Sequence, residues 1–181
     1  MSYTAPDTAG LKPAALYDTL VGQAAGLLAG ERDPWANAAN VAALVFALLP
    51  GLNWAGFYFL RGGELVVGPF QGKPACVRIA LGRGVCGAAA AARRTVVVRD
   101  VHAFPGHIAC DAASNSEIVV PILDGKRLVG VLDLDSPQTD RFADVDAAGL
   151  ERLASLLAAG CDWARAGIDG YGIRTAVTGA P

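Results

Sequence analysis

The sequence predicts an α+β fold, an antiparallel sheet with helices packed on it. Two observations carry this. Strand-like runs follow one another across tight turns: "NWAGFYFL" meets "ELVVGPF" at Arg61-Gly62-Gly63, and "EIVVPIL" meets "KRLVGVLDLDS" at Asp124-Gly125. Such short links join antiparallel neighbours. Helical patterns precede the first pair and follow the second.

Taken in order, residues 13–28 read as a helix with Leu16, Leu20, Leu27 and Leu28 apolar. A second helix starts at Asp33-Pro34, an N-cap followed by proline at the first helical position, and Pro50-Gly51 stops it. After the first strand pair, "ACVRIAL" is a third strand, begun by Cys76. "GVCGAAAAARR" is a short helix entered through glycines, and "TVVV" a short strand. A polar loop over about 99–116 leads to the second hairpin, and loops of that length usually serve function. A last helix runs from about Asp144 to Trp163, with Val145, Leu150, Leu153, Leu156 and Leu157 on its apolar side.

A chain of 181 residues suggests one domain, expected over 1–165, with 166–181 as a flexible C-terminal tail. The net charge of -2, without a basic stripe, gives no electrostatic draw toward nucleic acid or anionic membrane. Pro50-Gly51 and Asn53 break the longest apolar stretch, too short for a membrane span. No signal-peptide pattern opens the chain, so a cytoplasmic, reducing location is expected. In that setting the four cysteines are either buried hydrophobes or chemically active.

Candidate chemistry follows from strand alternation. Asp133 and Asp135 share a face with Val129 and Val131, while Leu128, Leu132 and Leu134 take the other. The acids either mark a strand running out into solvent or form a site for a cationic group or a proton donor. Trp54, Gly56 and Tyr58 also share a face, as core packing or as a small aromatic box suited to electron-poor methyl groups. Cys76, Cys86, His102, His107 and Cys110 match no familiar zinc-ligand spacing, so no metal is expected. Several thiols near a polar pocket suit redox chemistry better, in which one thiolate attacks and another thiol resolves the oxidised product. Cys110, in the polar "GHIACDAASNSE", is the better nucleophile candidate, and Cys161 reads as packing.

The segments "NWAGFYFL", "GPFQGKPACVRI", "GRGVCGAA", "DVHAFPGHIACDAASNSEIVVPI" and "GVLDLDS…RF" together resemble the free methionine-(R)-sulfoxide reductases, which have a GAF fold. The likeness covers about 53–160 and is most specific at "GHIACDAASNSEIV". It implies a GAF-like, six-stranded antiparallel sheet flanked by helices, usually in a homodimer. It implies Cys110 as the residue attacking the sulfoxide sulfur. Cys76 and Cys86 are implied as resolving cysteines, with Cys76 the direct partner of Cys110 and Cys86 a further relay or spare. It places Glu117, Asp133 and Asp135 in the substrate pocket, with Trp54 and Tyr58 as its aromatic wall. Backbone N–H groups around Ile108, Ala109 and Cys110 would hold the sulfoxide oxygen, and any of the three acids would serve as proton donor. No cofactor is expected to be bound. Reducing equivalents would come from thioredoxin, and ultimately from NADPH through thioredoxin reductase. Two other readings remain at this point: a ligand-sensing GAF module, and a redox sensor without turnover. His107 is left without a role beyond shaping its loop.

Overall fold

The computed structural model describes residues 4, 6–108 and 111–168. Four helices and six strands follow in the order α1 (Pro13–Leu28), α2 (Pro34–Leu48), β1 (Trp54–Arg61), β2 (Glu64–Gly72), β3 (Arg78–Ala80), α3 (Gly84–Ala92), β4 (Val96–Val98), β5 (Ser116–Asp124), β6 (Arg127–Ser136) and α4 (Asp144–Gly160). The strands form one antiparallel sheet in the order β3-β2-β1-β6-β5-β4. None of the described helices is long and apolar enough to cross a membrane.

The expected helix signals act as read. The Asp33 carboxylate accepts from the N–H groups of Trp35 and Ala36, each at 2.9 Å, which caps α2. Helix α4 stops at Gly160, short of the expected Trp163, because Cys161 is extended. Trp163 instead lies in a short 3₁₀ turn, where its ring NH donates to the Ala158 carbonyl at 2.8 Å and its side chain fills the core. Ala166 and Ile168 are buried in the same core, so packed chain extends past the expected domain edge at 165. Residues 169–181, most of the expected tail, lie outside the described residues.

The sheet separates two apolar layers. Helices α1, α2 and α4 cover one face, where Leu20, Val41, Val45, Leu150 and Leu153 meet Phe57, Phe59, Ile118, Leu132 and Leu134. Helix α3, with Val85 and Cys86, and the long loop lie over the other, which carries Trp54, Tyr58, Val119 and Val131. Asp146, in the first turn of α4, binds α1 to α4. It accepts from the Tyr17 hydroxyl at 2.7 Å, from Arg141 at 3.0 Å and from the Ala143 N–H at 2.8 Å. Tyr17 fits because residue 149 is glycine: a Cβ there would overlap its ring. Gly149→Ala is therefore expected to lower stability by about 1–3 kcal/mol, the usual cost of overpacking. Thermal denaturation would show it as a fall in Tm without a shift in substrate affinity.

Three details differ from the sequence reading. In the β5–β6 hairpin Asp124 pairs with Arg127, so the turn is Gly125-Lys126, one residue later than expected. The β6 alternation breaks near that turn. Ile122 faces Gly130 but Leu123 faces Leu128, which leaves Val129 as an extra residue. Val129 consequently joins the core under α1, α2 and α4, and Leu128 joins the α3 side, the reverse of strict alternation. Finally, Cys76 does not start a strand. The ladder resumes when the Val67 N–H meets the Val77 carbonyl, and β3 spans only Arg78–Ala80. Pro74 has no N–H to offer a ladder, consistent with the irregular chain there.

Candidate active site

Beyond the bulge, β6 regains its alternation and carries Asp133 and Asp135 onto the α3 side of the sheet. Strand pairing sets their neighbours. Trp54 lies opposite Asp135 and Gly56 opposite Asp133 on the β1 side. Glu117 lies opposite Asp135 on the β5 side. Three carboxyl groups therefore converge under α3. Each of Glu117 and Asp133 is only 6% exposed.

These residues line a narrow cleft between the sheet, the first turn of α3 and the long loop. Its walls hold Trp54, Tyr58, Cys86, Glu117, Asp133 and Asp135, with Ile108 and His107 from the loop. Asp111 and Ser114 complete the loop side. Of the site residues expected from sequence, Trp54, Tyr58, Cys86, Ile108, Glu117, Asp133 and Asp135 are thus brought together. Ala109 and Cys110 lie outside the described residues.

The aromatic wall is a stack. The Trp54 ring lies 5.9 Å from that of Tyr58 and 5.3 Å from that of Phe70, and its NH donates to the Lys73 carbonyl at 3.2 Å. Gly56 makes this arrangement possible, since a Cβ there would collide with both Phe70 and Trp54. Phe70 escaped the sequence reading because β2 gains a residue opposite Gly56–Tyr58, which shifts its alternation.

The acids are short of countercharge. Burial, reinforced by the charges of Asp133 and Asp135, pushes the Glu117 carboxyl well above the usual range. Burial first, then the charge of Asp133, does the same for Asp135. Burial pushes Asp133 up to about 7, and hydrogen bonds with Cys86 and Glu117 limit the rise. No donor among the described residues reaches its Oδ1 unless Glu117 itself holds a proton. The nearest base is His107, whose Nε2 lies 3.7 Å from the Glu117 carboxylate. Burial lowers the His107 pKa, so this imidazole is a weak cation at neutral pH. The pocket is thus built to receive a positive group, or to hold protons near neutral pH.

The two described candidate thiols differ sharply. Cys86, in the first turn of α3, is 3% exposed, and its Sγ lies 3.2 Å from Asp133 Oδ2 and 4.0 Å from Glu117 Oε1. Burial and then the two acids push its pKa well up. Cys76 is half-buried at the edge of the α3-side core, in the segment between β2 and β3. That segment is tied to the long loop by an ion pair between Lys73 and Asp111 at 3.1 Å. Lys73 precedes Cys76 by three positions and Asp111 immediately follows Cys110.

Asp111 is a structural organiser that the sequence reading passed over. It accepts from the Ala113 N–H at 3.0 Å and from Asn53 at 3.3 Å. The Ala113 N–H and the Lys73 ammonium hold its carboxyl below the usual range. Asn53 also donates to the Ser114 hydroxyl at 3.0 Å, and Asn115 anchors the loop end through the Pro137 carbonyl at 2.7 Å. The position of Asp111 next to Cys110 was the available signal. Cys161 lies on the opposite side of the sheet, buried in the helical core with Asn37 Nδ2 3.6 Å from its Sγ.

Comparison with known proteins agrees with this geometry. The model of the GAF domain family matches residues 9–160. The free methionine-R-sulfoxide reductase of Escherichia coli is 54% identical over 131 residues, covering 72% of this chain and 79% of that protein. The enzyme of the same name from Saccharomyces cerevisiae is 46% identical over 145 residues, covering 75% of this chain and 80% of that one. The X-ray structure of free methionine-R-sulfoxide reductase from Neisseria meningitidis in complex with its substrate superposes with a TM-score of 0.84 at 44% identity, covering 91% of this chain and 99% of that chain.

Proposed function

The chain belongs to the GAF domain family, and from that premise we propose that it reduces free methionine-(R)-sulfoxide to methionine. The observation that carries this is the carboxyl trio of buried Glu117 and Asp133 and half-buried Asp135, facing the Trp54–Tyr58 wall beneath the cysteine-bearing loop. Free methionine sulfoxide is a small zwitterion with a polar S–O bond and an S-methyl. Its ammonium suits the unpaired carboxyl cluster. Its methyl grows electron-poor as the sulfur is attacked, which suits the face of Trp54. The leading N–H groups of α3 have no intrahelical acceptor, and they border the cleft where an α-carboxylate can lie.

The reaction needs a nucleophile, a proton for the departing oxygen and a second thiol. The Cys110 thiolate attacks the sulfoxide sulfur, and the oxygen passes to Cys110. The sulfoxide S–O bond breaks, methionine leaves, and Cys110 becomes a sulfenic acid. The raised pKa values of Glu117, Asp133 and Asp135 let one of these acids carry a proton at neutral pH and deliver it to the oxygen. Cys76 condenses with the sulfenic acid, forming a disulfide and releasing water, and thioredoxin returns both thiols with electrons from NADPH. Partial exposure of Cys76 supports it as the resolving thiol over Cys86, which is buried and held to Asp133. The Lys73–Asp111 ion pair supports the same choice by keeping the two segments together.

An enclosing pocket would reject peptide-bound methionine sulfoxide, whose neighbouring peptide bonds remove the ammonium and collide with the walls. The test is NADPH oxidation coupled through thioredoxin reductase and thioredoxin, in a reducing mixture like that of cytoplasm. Free L-methionine-(R)-sulfoxide is expected to drive consumption and its N-acetylated, amidated form is not. Silence with the free amino acid would sink the proposal.

A further inference from the structure

The side chains of Cys86, Glu117 and Asp133 come from three separate elements, so their sequence spacing resembles no metal motif. In space one ligand atom of each lies within 4.8 Å of the others, and all three residues are buried. We propose that this triad is a binding site for a thiophilic divalent cation, Zn²⁺ above all, which competes with the ammonium of the substrate. The competition rests on the function proposed above, whereas the metal site does not.

Distances favour this. Tetrahedral zinc, with bonds of about 2.3 Å to sulfur and about 2.0 Å to oxygen, separates a sulfur and an oxygen ligand by roughly 3.5 Å. Cys86 Sγ stands 3.2 Å from Asp133 and 4.0 Å from Glu117, on either side of that value. Asp133 is more than nine-tenths buried and lines the cleft, and apart from a protonated Glu117 no protein donor among the described residues reaches its Oδ1. The His107 imidazole also lines the cleft, with Nε2 3.7 Å from Glu117, but it stands outside the 4.8 Å group, so solvent would take the fourth position. One soft sulfur beside two carboxylate oxygens suits zinc better than magnesium or calcium, which prefer oxygen alone. Binding would form a metal–sulfur bond and release to solvent the Cys86 thiol proton and the proton held by the ligating carboxyl groups.

The test uses the reduced full-length chain in a phosphine reductant, with Co²⁺ as the spectroscopic probe and Zn²⁺ as its competitor. One equivalent of Co²⁺ is expected to give a sulfur-to-metal charge-transfer band that Zn²⁺ erases. Cys86→Ser and Cys86→Ala should each remove the band, and Cys161→Ser should leave it intact. Glu117→Gln should weaken affinity at least as much as the roughly 10- to 100-fold typical of losing an outer partner. Free methionine sulfoxide should raise the apparent metal dissociation constant, and Zn²⁺ should raise KM without lowering kcat. A band that survives in both Cys86 variants would overturn the site. A band that depends on Cys86 in a protein without sulfoxide turnover supports the site while removing the functional reading. Turnover unaffected by Zn²⁺, with no band, does the converse.

Discussion

Cys110→Ser is expected to abolish methionine formation even in a single reaction without thioredoxin, whereas Cys76→Ser should form about one methionine per chain and then stall. The contrast follows from what each thiol must do. The attacking sulfur has to take the oxygen, and no other described thiol is suited to replace it. Cys86 sits beside Asp133 and Glu117, where burial and like charge hold the thiol in its protonated form, and the thiolate is the nucleophile. Cys161 is on the far side of the sheet. Removing Cys76 leaves the first transfer untouched but strands Cys110 as a sulfenic acid, which a dimedone-type probe should label in that variant after one turnover. Methionine released per chain, measured by amino-acid analysis, separates the outcomes. Equal first turnovers in Cys110→Ser and the unaltered protein would refute the assignment. A full catalytic cycle with thioredoxin in Cys76→Ser would transfer the resolving role elsewhere.

The parts of this site that were legible in the sequence were those governed by local rules. Trp54 and Tyr58 on one face and Phe57 and Phe59 on the other follow from two-residue periodicity in an unbroken stretch of β1, and the structure keeps them so. The same rule failed toward the start of β6, because one inserted residue at Val129 exchanges the faces of Leu128 and Val129. Periodicity carries no mark of where a bulge falls. It also failed for Phe70, behind the irregularity of β2. The convergence of Cys86 with Glu117 and Asp133 was invisible for a different reason. It depends on how α3 docks on the sheet, a tertiary event that no spacing encodes. The chain beyond α4 misled for a compositional reason. "ARAGIDG" reads as frayed, yet its Ala166 and Ile168 are packed in the helical core.

Asp133→Asn is expected to make the protein more stable and nearly inactive. The folded-state pKa of Asp133 is raised from 3.8 to about 7. Between those values the folded chain holds a proton that the unfolded chain has released, so stability falls as pH rises through this window. The loss is complete above about 7 and absent below the unfolded value. A shift of about three pKa units corresponds to an upper bound of about 4 kcal/mol. The interaction of Asp133 with Glu117 and Asp135 spreads that cost over the cluster. Asparagine cannot ionise, keeps a carbonyl for the Cys86 thiol and offers an amide N–H to Glu117. At pH 8 its Tm should therefore exceed that of the unaltered protein by on the order of 5 °C, at roughly 2–4 °C per kcal/mol for a chain of this size. The difference should close near pH 4, measured by differential scanning calorimetry across the series. Activity should move the other way. Loss of a charge that binds ammonium, and of an acid within the proton-holding cluster, is expected to lower kcat/KM by roughly 100-fold or more. A Tm that falls at every pH would mean that the carboxylate supports the fold through its hydrogen bonds and exacts no charge penalty. Such a result would remove the electrostatic basis for reading this carboxyl trio as a site held in readiness for a cation.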